Sequence, residues 1–432
     1  MSPSNPSIYV LQQKAASLLL YQGVLRHPIG EAFLSLLDAL QTANPILCLQ
    51  AYSHWFHQLA TTHQSWQDYL VNSILWDDNP FSQQVQRTSV EDLPPVLVQA
   101  VTHDLQALQA LYQCTGEQLS YWVQNLSKSI VAPVPWNLDI PLICPGAFLH
   151  QQTRWEEGVI KLAVYYQQYG CGLFARYRAL RWQDGEFIGI PNPDPVQIEE
   201  IIGYESQKRA LIRNTEFLLA SHPALHVLLY GSRGTGKSSL VKGLLNQFGE
   251  CGLRLVELEK SHLNALPEIV ERLRGVPQKF IIFVDDLSFE EDDEAFKSMK
   301  VVLEGSVTAK APNVVVYATS NRRHLVREFF SDRPRPQDAS EIHYWDTVQE
   351  KLSFSDRFGL TLTFEPANQD TYLQIVHHLA RQSQININSA DLEFRAKQWA
   401  TRNNGRSGRT AKQFIEQLKA ELAMINNGSN PY

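Results

Sequence analysis

The octapeptide GSRGTGKS at residues 231–238 constrains this chain more than any other part of its sequence. It fits the pattern G-x-x-x-x-G-K-[S/T] at every fixed position, follows the apolar run VLLY, and precedes apolar residues at helical spacing. Its glycines let a backbone turn its N–H groups inward around phosphate oxygens. The segment therefore predicts a phosphate-binding loop between a strand and a helix of an α/β domain.

The loop also predicts the ligand, ATP with Mg²⁺. The ammonium group of Lys237 can reach the β- and γ-phosphates, and the hydroxyl of Ser238 can ligate Mg²⁺. The helix N-terminus that follows adds partial positive charge. The predicted phosphate-binding residues are Gly231, Ser232, Arg233, Gly234, Thr235, Gly236, Lys237, Ser238 and Ser239.

Two further strands are predicted to end in polar side chains. The run FIIFVDD ends in Asp285, which suits Mg²⁺ through its water shell, and in Asp286, which can polarise an attacking water. The run VVVYATSN ends in Asn321, whose side chain can orient a water or touch the γ-phosphate. The order of loop, acidic strand and polar strand indicates a nucleotide-hydrolysing site.

These residues resemble those of AAA+ ATPases over about residues 201–422. Residues 231–238 match Walker A, residues 280–286 match Walker B, and Asn321 matches sensor 1. A closer resemblance is to an uncharacterised bacterial AAA+ family known only as a domain of unknown function. It is carried by the segments VLLYGSRGTGKSSLVK, DDLSFEEDD, YATSNRRHL and EKLSFSDRFGL. The resemblance extends more weakly over the N-terminal region.

The resemblance implies further site residues. SDRFGL makes Arg357 the arginine-finger candidate, and GRSGRTAKQF makes Arg409 the better sensor 2 candidate and Arg406 the second. The segment IIGYE, with Ile202, Gly203 and Tyr204, resembles the part that cradles adenine. An alternative stays open for Arg357, in which it pairs with Asp356 or Glu350 of its own domain.

The resemblance implies an ATPase that forms ADP and phosphate and works as a ring-like homo-oligomer, typically of six subunits. One departure bears on its rate. Most Walker B motifs end in Asp-Glu, but this one ends in Asp285-Asp286, and the shorter carboxylate stands farther from the water. A misplacement of about 1 Å can cost roughly 100-fold in rate. We therefore expect slow hydrolysis, with Glu290 as a substitute base, or a nucleotide-dependent switch or scaffold that rarely hydrolyses.

Composition and pattern changes divide the chain into four parts. Residues 1–183 have helical periodicity and most of the tryptophans, which predicts a mainly helical N-terminal domain. Residues 184–200 contain three prolines and two glycines and are predicted to form a linker, with a strand-and-turn junction as the alternative for residues 184–197. Residues 201–366 alternate short apolar runs with helical patterns, which predicts a P-loop NTPase core with a parallel five-stranded sheet. Residues 367–432 are predicted to form a C-terminal helical lid. The expected strands are 227–230, 253–258, 280–284, 314–318 and 360–364.

Charge and composition limit the partners. The net charge of −7 opposes a protein that coats nucleic acid, where a basic stripe supplies the affinity. Arg322 and Arg323 nevertheless leave a nucleic-acid loader or accessory ATPase as a third interpretation. The five cysteines form no CxxC pair, and the chain shows neither a signal-peptide pattern nor a run long enough to span a membrane. We expect a cytoplasmic protein, away from membranes, whose N-terminal domain binds an unknown protein partner.

Overall fold

The chain forms two compact units, Met1–Arg176 and Tyr177–Tyr432. The computed structural model describes residues 7–128, 132–138, 148–289, 294–304, 311–321, 354–403 and 405–426. The sequence predicted that the first domain ends at residue 183, and the first unit ends at Arg176.

The first unit is built from helices in the part of it that the structure describes, which confirms the mainly helical N-terminal region. Proline occupies the first turn of four of these helices, where its missing N–H costs no hydrogen bond. The α-helices are α1 (Ile8–Ala16), α2 (Pro28–Thr42), α3 (Pro45–Thr62), α4 (Trp66–Trp76), α5 (Pro80–Val85), α6 (Pro95–Tyr112), α7 (Gly116–Ser127), α8 (Phe148–Gln151), α9 (Val159–Tyr169) and α10 (Gly172–Arg176). Short 3₁₀ turns span Tyr21–Leu25, Val90–Asp92 and Trp155–Gly158.

Aromatic side chains fill the centre of this unit. Phe33 of α2 stacks on Trp66 of α4 with ring centroids 4.0 Å apart, and Tyr69 stacks on Trp66 at 5.6 Å. Trp55 of α3 meets Trp66 edge-on, and all four rings are buried. Offset and edge-on ring contacts of this kind stabilise a core beyond the area they bury. The tryptophan-rich composition of the N-terminal region is therefore explained by packing.

A seven-stranded mixed sheet forms the centre of the second unit. Its strands are β1 (Ala179–Gln183), β2 (Glu186–Ile190), β3 (Val227–Gly231), β4 (Leu253–Glu257), β5 (Lys279–Val284), β6 (Val314–Ser320) and β7 (Leu360–Phe364). The strand order is β2-β1-β4-β5-β6-β3-β7. Strand β2 pairs antiparallel with β1, and all other neighbours are parallel.

The prediction of a five-stranded sheet was incomplete, because the sheet has seven strands. The five expected strands are present and parallel, as β3 to β7, but the hairpin of β1 and β2 extends the sheet beyond β4. Its residues had been assigned to the end of the helical domain and to the linker. The hairpin forms because Asp184 and Gly185, both at positive φ, make the two-residue turn that joins antiparallel strands.

Helices complete the second unit on either side of the sheet and after it. They are α11 (Glu205–Leu219), α12 (Lys237–Phe248), α13 (Leu266–Leu273), α14 (Glu294–Glu304), α15 (Gln369–Gln382), α16 (Ser389–Arg402) and α17 (Gly408–Asn426). Short 3₁₀ turns span Ile198–Glu200, Gly249–Cys251, Lys260–Ala265 and Phe354–Arg357. Helices α15, α16 and α17 share a small apolar core of their own, which includes Tyr372, Val376, Leu392, Ala396 and Phe414.

The sheet topology brings the predicted site together. Strand β3, which leads into the loop, lies directly beside β6, and β6 lies beside β5. The carboxyl ends of neighbouring parallel strands lie at the same end of the sheet, and ligands of open α/β sheets bind there. The loop, the two acidic residues and Asn321 therefore converge at the same end of the sheet, although 84 residues of chain separate Lys237 from Asn321.

None of the helices in the described part of the chain combines the length and the apolar character that a transmembrane span needs.

Candidate functional site

The loop after β3 has a backbone that only glycine fits at its first position. Gly231 has φ of 143°, and a Cβ placed there would lie 2.0 Å from the carbonyl oxygen of Phe364 on β7. Gly234, with φ of 77°, would carry a Cβ 2.8 Å from the hydroxyl oxygen of Ser407. The glycine spacing of the motif thus reflects close approach of β7 and of the segment before α17.

Lys237 begins α12 and points back into the loop. Its side chain is buried, and Nζ donates to the carbonyl oxygens of Gly231 at 2.8 Å and Ser232 at 2.7 Å, and to Asn321 Oδ1 at 3.4 Å. Burial lowers the pKa of the Lys237 ammonium, and the positive charge of Arg409 adds to this effect. Two carboxylates, Asp285 and Asp286, act in the opposite direction.

Ser238 and Asp285 form a pair of oxygen ligands. The Ser238 hydroxyl donates to Asp285 Oδ1 at 2.7 Å, so its proton faces the carboxylate and its lone pairs remain for a cation. Mg²⁺ is usually held by one or two carboxylates together with phosphate oxygens. The oxygen atoms present fit that ion, which Ser238 and Asp285 would hold.

Asp286 has a left-handed backbone, with φ of 52°. Aspartate and asparagine tolerate this region better than most residues. The carboxylate accepts a hydrogen bond from Asn321 Nδ2 at 2.6 Å. The two polar strand ends are therefore joined side chain to side chain.

Thr319 is a site residue that the sequence analysis missed. It is 2% exposed, and its hydroxyl donates to Asp285 Oδ1 at 2.5 Å while accepting the backbone N–H of Asp286 at 2.9 Å. A signal was present in the sequence, because alternate strand residues share a face and Thr319 stands two before Asn321. A hydroxyl side chain on a predicted buried strand, two positions before Asn321, was therefore a candidate for the site.

These side chains line a cavity of about 770 Å³. Its polar lining comes from the loop, the acidic residues and Asn321, with Arg409 and Lys412 of α17 and with Glu200 and Gln382. Its apolar part, meaning the apolar residues of the lining together with Tyr204, consists of Val196, Ile201, Ile202, Tyr204, Ala367, Ile375 and Leu379. A polar pocket for phosphates beside an apolar pocket for a ring suits a nucleotide.

Tyr204 is fixed at the border of the apolar part. Its hydroxyl donates to the carbonyl oxygen of Glu365 at 2.5 Å, and its ring lies 5.0 Å from that of Phe364. The residue has a left-handed backbone with φ of 61° and caps α11. The segment before α11 is thereby held against the end of β7, next to the loop.

Most of the residues predicted for the site line this cavity. Those that do so are Ile202, Tyr204, Arg233, Gly234, Thr235, Gly236, Lys237, Ser238, Ser239, Asp285, Asp286, Asn321 and Arg409. The described residues that line it do not include Gly203, Gly231, Ser232, Arg357 or Arg406. Gly231 and Ser232 still contact Lys237 through their carbonyl oxygens.

The two remaining arginines lie elsewhere in the second unit. Arg357, in the 3₁₀ turn before β7, forms an ion pair with Glu304 at the end of α14. Arg406 donates to Gln369 Oε1 at 3.1 Å, so of the two sensor 2 candidates only Arg409 is placed in the cavity. The proposed substitute base, Glu290, lies outside the described residues, as do Glu350, Arg322 and Arg323.

The sheet, the loop and the cavity define an α/β fold of the AAA+ P-loop NTPase type, in agreement with the sequence prediction. The family described as "Protein of unknown function (DUF815)" matches residues 175–422, which is more than half of the chain. The chain belongs to this family, and the predicted resemblance is confirmed.

Solved structures show only a distant likeness. A point variant of RuvB from Thermotoga maritima has 16% sequence identity and a TM-score of 0.37, covering 54% of this chain and 67% of that chain. A second RuvB structure from Thermotoga maritima, described as a Holliday junction branch migration motor, has 14% identity and a TM-score of 0.35 over the same shares, 54% and 67%. The FIGL-1 AAA domain in complex with ADP has 20% identity and a TM-score of 0.34, covering 54% and 74%. No curated protein matches the sequence.

Proposed function

We propose that this protein binds ATP with Mg²⁺ and hydrolyses it slowly to ADP and phosphate. The observation that carries the proposal is the convergence of Lys237, Ser238, Asp285, Asp286 and Asn321 on one cavity. A buried ammonium, a hydroxyl and an acidic pair at the N-terminus of α12 suit a triphosphate and its cation. The apolar part with Tyr204 takes the adenine ring.

The chemical step is an in-line attack of water on the γ-phosphate. Lys237 holds the β- and γ-oxygens as charge develops on the transferring group, and Mg²⁺ supplies further charge neutralisation when bound. Asp286 accepts a hydrogen bond from the water, and the Asn321 amide fixes the carboxylate in place for that contact. Arg409, at the start of α17, contacts the phosphates and so couples nucleotide binding to the position of the last three helices, which act as a lid.

A second candidate is a nucleotide-dependent switch that rarely hydrolyses, and one observation favours it. The Asn321 amide already donates to Asp286, so the carboxylate must share its oxygens between that amide and a water. With the shorter aspartate side chain, this pairing holds the base back from the γ-phosphate. ATP then favours one conformation and is turned over only occasionally.

We further propose that the active form is a ring-like homo-oligomer in which Arg357 serves a neighbouring subunit's nucleotide. Its place outside the cavity of its own subunit supports this role. The helical N-terminal unit would then engage a protein partner in the cytoplasm. The net charge of −7 makes a nucleic-acid loader the weaker alternative.

Calorimetry with ATP tests the proposal directly. Wild-type protein should bind ATP with Mg²⁺, and Lys237→Ala should lose measurable binding while its circular dichroism is unchanged, because the direct contact to the phosphates is gone. Phosphate release in the same samples separates the two candidates. An ATP affinity of Lys237→Ala equal to that of wild type would contradict the assignment of this cavity as the nucleotide site.

A further inference from the structure

We infer that the Thr319 hydroxyl is a positioning group that joins the Asp285 carboxylate to the backbone of Asp286 and so sets the geometry of both acidic residues. The inference rests on the proposed nucleotide function and adds a residue that the ATPase motifs do not include. Thr319 is held to act through Asp285 and Asp286, and it is not assigned a contact to the nucleotide.

The hydrogen-bond direction at Thr319 is fixed by its partners. The backbone amide of Asp286 can only donate, and it does so to Oγ1 at 2.9 Å. An ionised carboxylate can only accept, so the single hydroxyl proton goes to Asp285 Oδ1 at 2.5 Å. One buried hydroxyl therefore bridges the backbone of Asp286 and the side chain of Asp285.

The backbone of Asp286 depends on this bridge. A left-handed conformation at a residue other than glycine persists only where the surroundings hold it. Thr319 holds it from both sides of the peptide, because its hydroxyl accepts the N–H of Asp286 and its carbonyl oxygen accepts the N–H of Leu287 at 2.7 Å. The turn in the backbone aims the Asp286 carboxylate at Asn321.

Asp285 depends on the same hydroxyl. Its Oδ1 atom accepts from Thr319 and from Ser238, at 2.5 Å and 2.7 Å. Two charge-assisted bonds to one oxygen fix the carboxylate rotamer behind the Ser238 hydroxyl, where Mg²⁺ is expected. Without Thr319 the carboxylate keeps one of these bonds, and a part-buried amide of Asp286 loses its acceptor.

The test compares Thr319→Val, which keeps the shape and removes the hydroxyl, with Thr319→Ser, which keeps the hydroxyl. Ser320→Ala is the matched control, because Ser320 is also buried on β6 but its hydroxyl donates to the carbonyl oxygen of Leu287. For each protein we would measure ATP affinity with and without Mg²⁺, the Mg²⁺ concentration at half-saturation, kcat, KM and the melting temperature.

Thr319→Val should bind ATP without Mg²⁺ as wild type does, but need about ten times more Mg²⁺ and lose roughly 100-fold in kcat, as expected for a displacement of about 1 Å. Thr319→Ser should restore both values, and Ser320→Ala should leave both unchanged. An unchanged Mg²⁺ requirement and kcat in Thr319→Val, at any melting temperature, would overturn the inference.

Two further outcomes are distinguished. If Thr319→Val does not fold, Thr319→Ala takes its place, and loss of folding in both would assign the hydroxyl to stability and overturn the inference. Wild-type protein that fails to bind ATP would instead remove the proposed function itself. If wild type binds without turnover, the Mg²⁺ requirement for binding still decides.

Discussion

Asn321 donates its side-chain amide to the carboxylate of Asp286 at 2.6 Å, across 35 residues of sequence. Asn321 follows β6 and Asp286 follows β5, which are direct neighbours in the sheet. Asn321 also accepts from Lys237 through its Oδ1 atom. The Asn321 side chain thus connects Lys237, the proposed phosphate ligand, with Asp286, the proposed base.

Asp286→Asn should keep ATP affinity but lower turnover by about 10²–10⁴-fold, the usual range for loss of a general base. Asparagine tolerates the left-handed backbone of this position, so the fold should not be disturbed. Steady-state phosphate release measures the effect. If turnover is unchanged, the base lies elsewhere, and the same assay on Glu290→Gln shows whether that residue has the role.

ATP affinity should fall as pH rises, beginning below the ordinary lysine pKa of 10.5. Burial lowers the pKa of Lys237 in the nucleotide-free protein, so part of the population is uncharged where ATP requires the ammonium, and binding must take up a proton. Calorimetry in two buffers of different ionisation enthalpy, at successive pH values below 10.5, measures that uptake.

The lowered pKa of Lys237 also determines how the stability of the folded protein changes with pH. The unfolded state keeps its proton at Lys237 to higher pH than the folded state, so this group makes the nucleotide-free protein more stable as pH rises through that window. Lys237→Arg, whose guanidinium stays charged, should bind ATP without proton uptake if it binds at all. Equal uptake in both proteins would contradict the assignment to Lys237.

Protection of the last three helices by an ATP analogue should depend on Arg409. Limited proteolysis of residues 367–426 should slow with the analogue in wild type but not in Arg409→Ala, because α17 loses its contact with the phosphates. Arg406→Ala is the matched control. Arg406 lies just before α17, but it donates to Gln369 outside the cavity. Protection lost in Arg406→Ala and kept in Arg409→Ala would reverse the two roles.

Mixing two inactive variants should restore part of the ATPase activity if subunits share a site. Arg357→Ala lacks the proposed trans arginine and Lys237→Ala lacks the phosphate-binding lysine, so some mixed interfaces contain both intact groups. An arginine supplied in trans can change the rate by about 10³–10⁵-fold. A monomeric mass by light scattering in ATP, with no recovery on mixing, would leave a single-subunit switch in which Arg357 acts within its own domain, where it pairs with Glu304.

Gly231→Ala should destabilise the protein far more than Gly185→Ala. Both glycines have positive φ, which costs an alanine about 1–2 kcal/mol. A Cβ at Gly231 also meets the carbonyl oxygen of Phe364 at 2.0 Å, whereas nothing lies within 4 Å of one at Gly185. Urea unfolding should separate the two variants by about 1–3 kcal/mol, the usual cost of overpacking, and similar values would mean that β7 moves away freely.

The parallel strands could be predicted to within about two residues. β5 and β6 are buried on both faces and read as continuous apolar runs, whereas β7 alternates buried apolar residues with exposed threonines. The loop could be placed for a similar reason, since its glycines and lysine have fixed spacing. The hairpin of β1 and β2 was missed because its pairing with β4 is non-local and its own residues are mixed in polarity. Periodicity within a segment does not report such a partner.

Side-chain roles were predictable only where a motif specifies them. Asp285 and Asn321 stand at strand ends, where polar residues are conspicuous, but Thr319 lies inside β6 and reads as an ordinary β-branched strand residue. Its role depends on which strand is adjacent, and that is decided by the sheet order. The motif already favoured Arg409 over Arg406, and of these two residues only Arg409 lines the cavity.

The β1–β2 hairpin also determines how the nucleotide-binding unit can be produced alone. Strand β1 pairs with β4 from Ala179↔Leu255 to Arg181↔Glu257, so a fragment that starts at Ile201 would leave this side of β4 as an open sheet edge. Such an edge is a template for association with other chains. A fragment that starts at or before Tyr177 keeps the edge covered, and it should stay in solution where the shorter one aggregates.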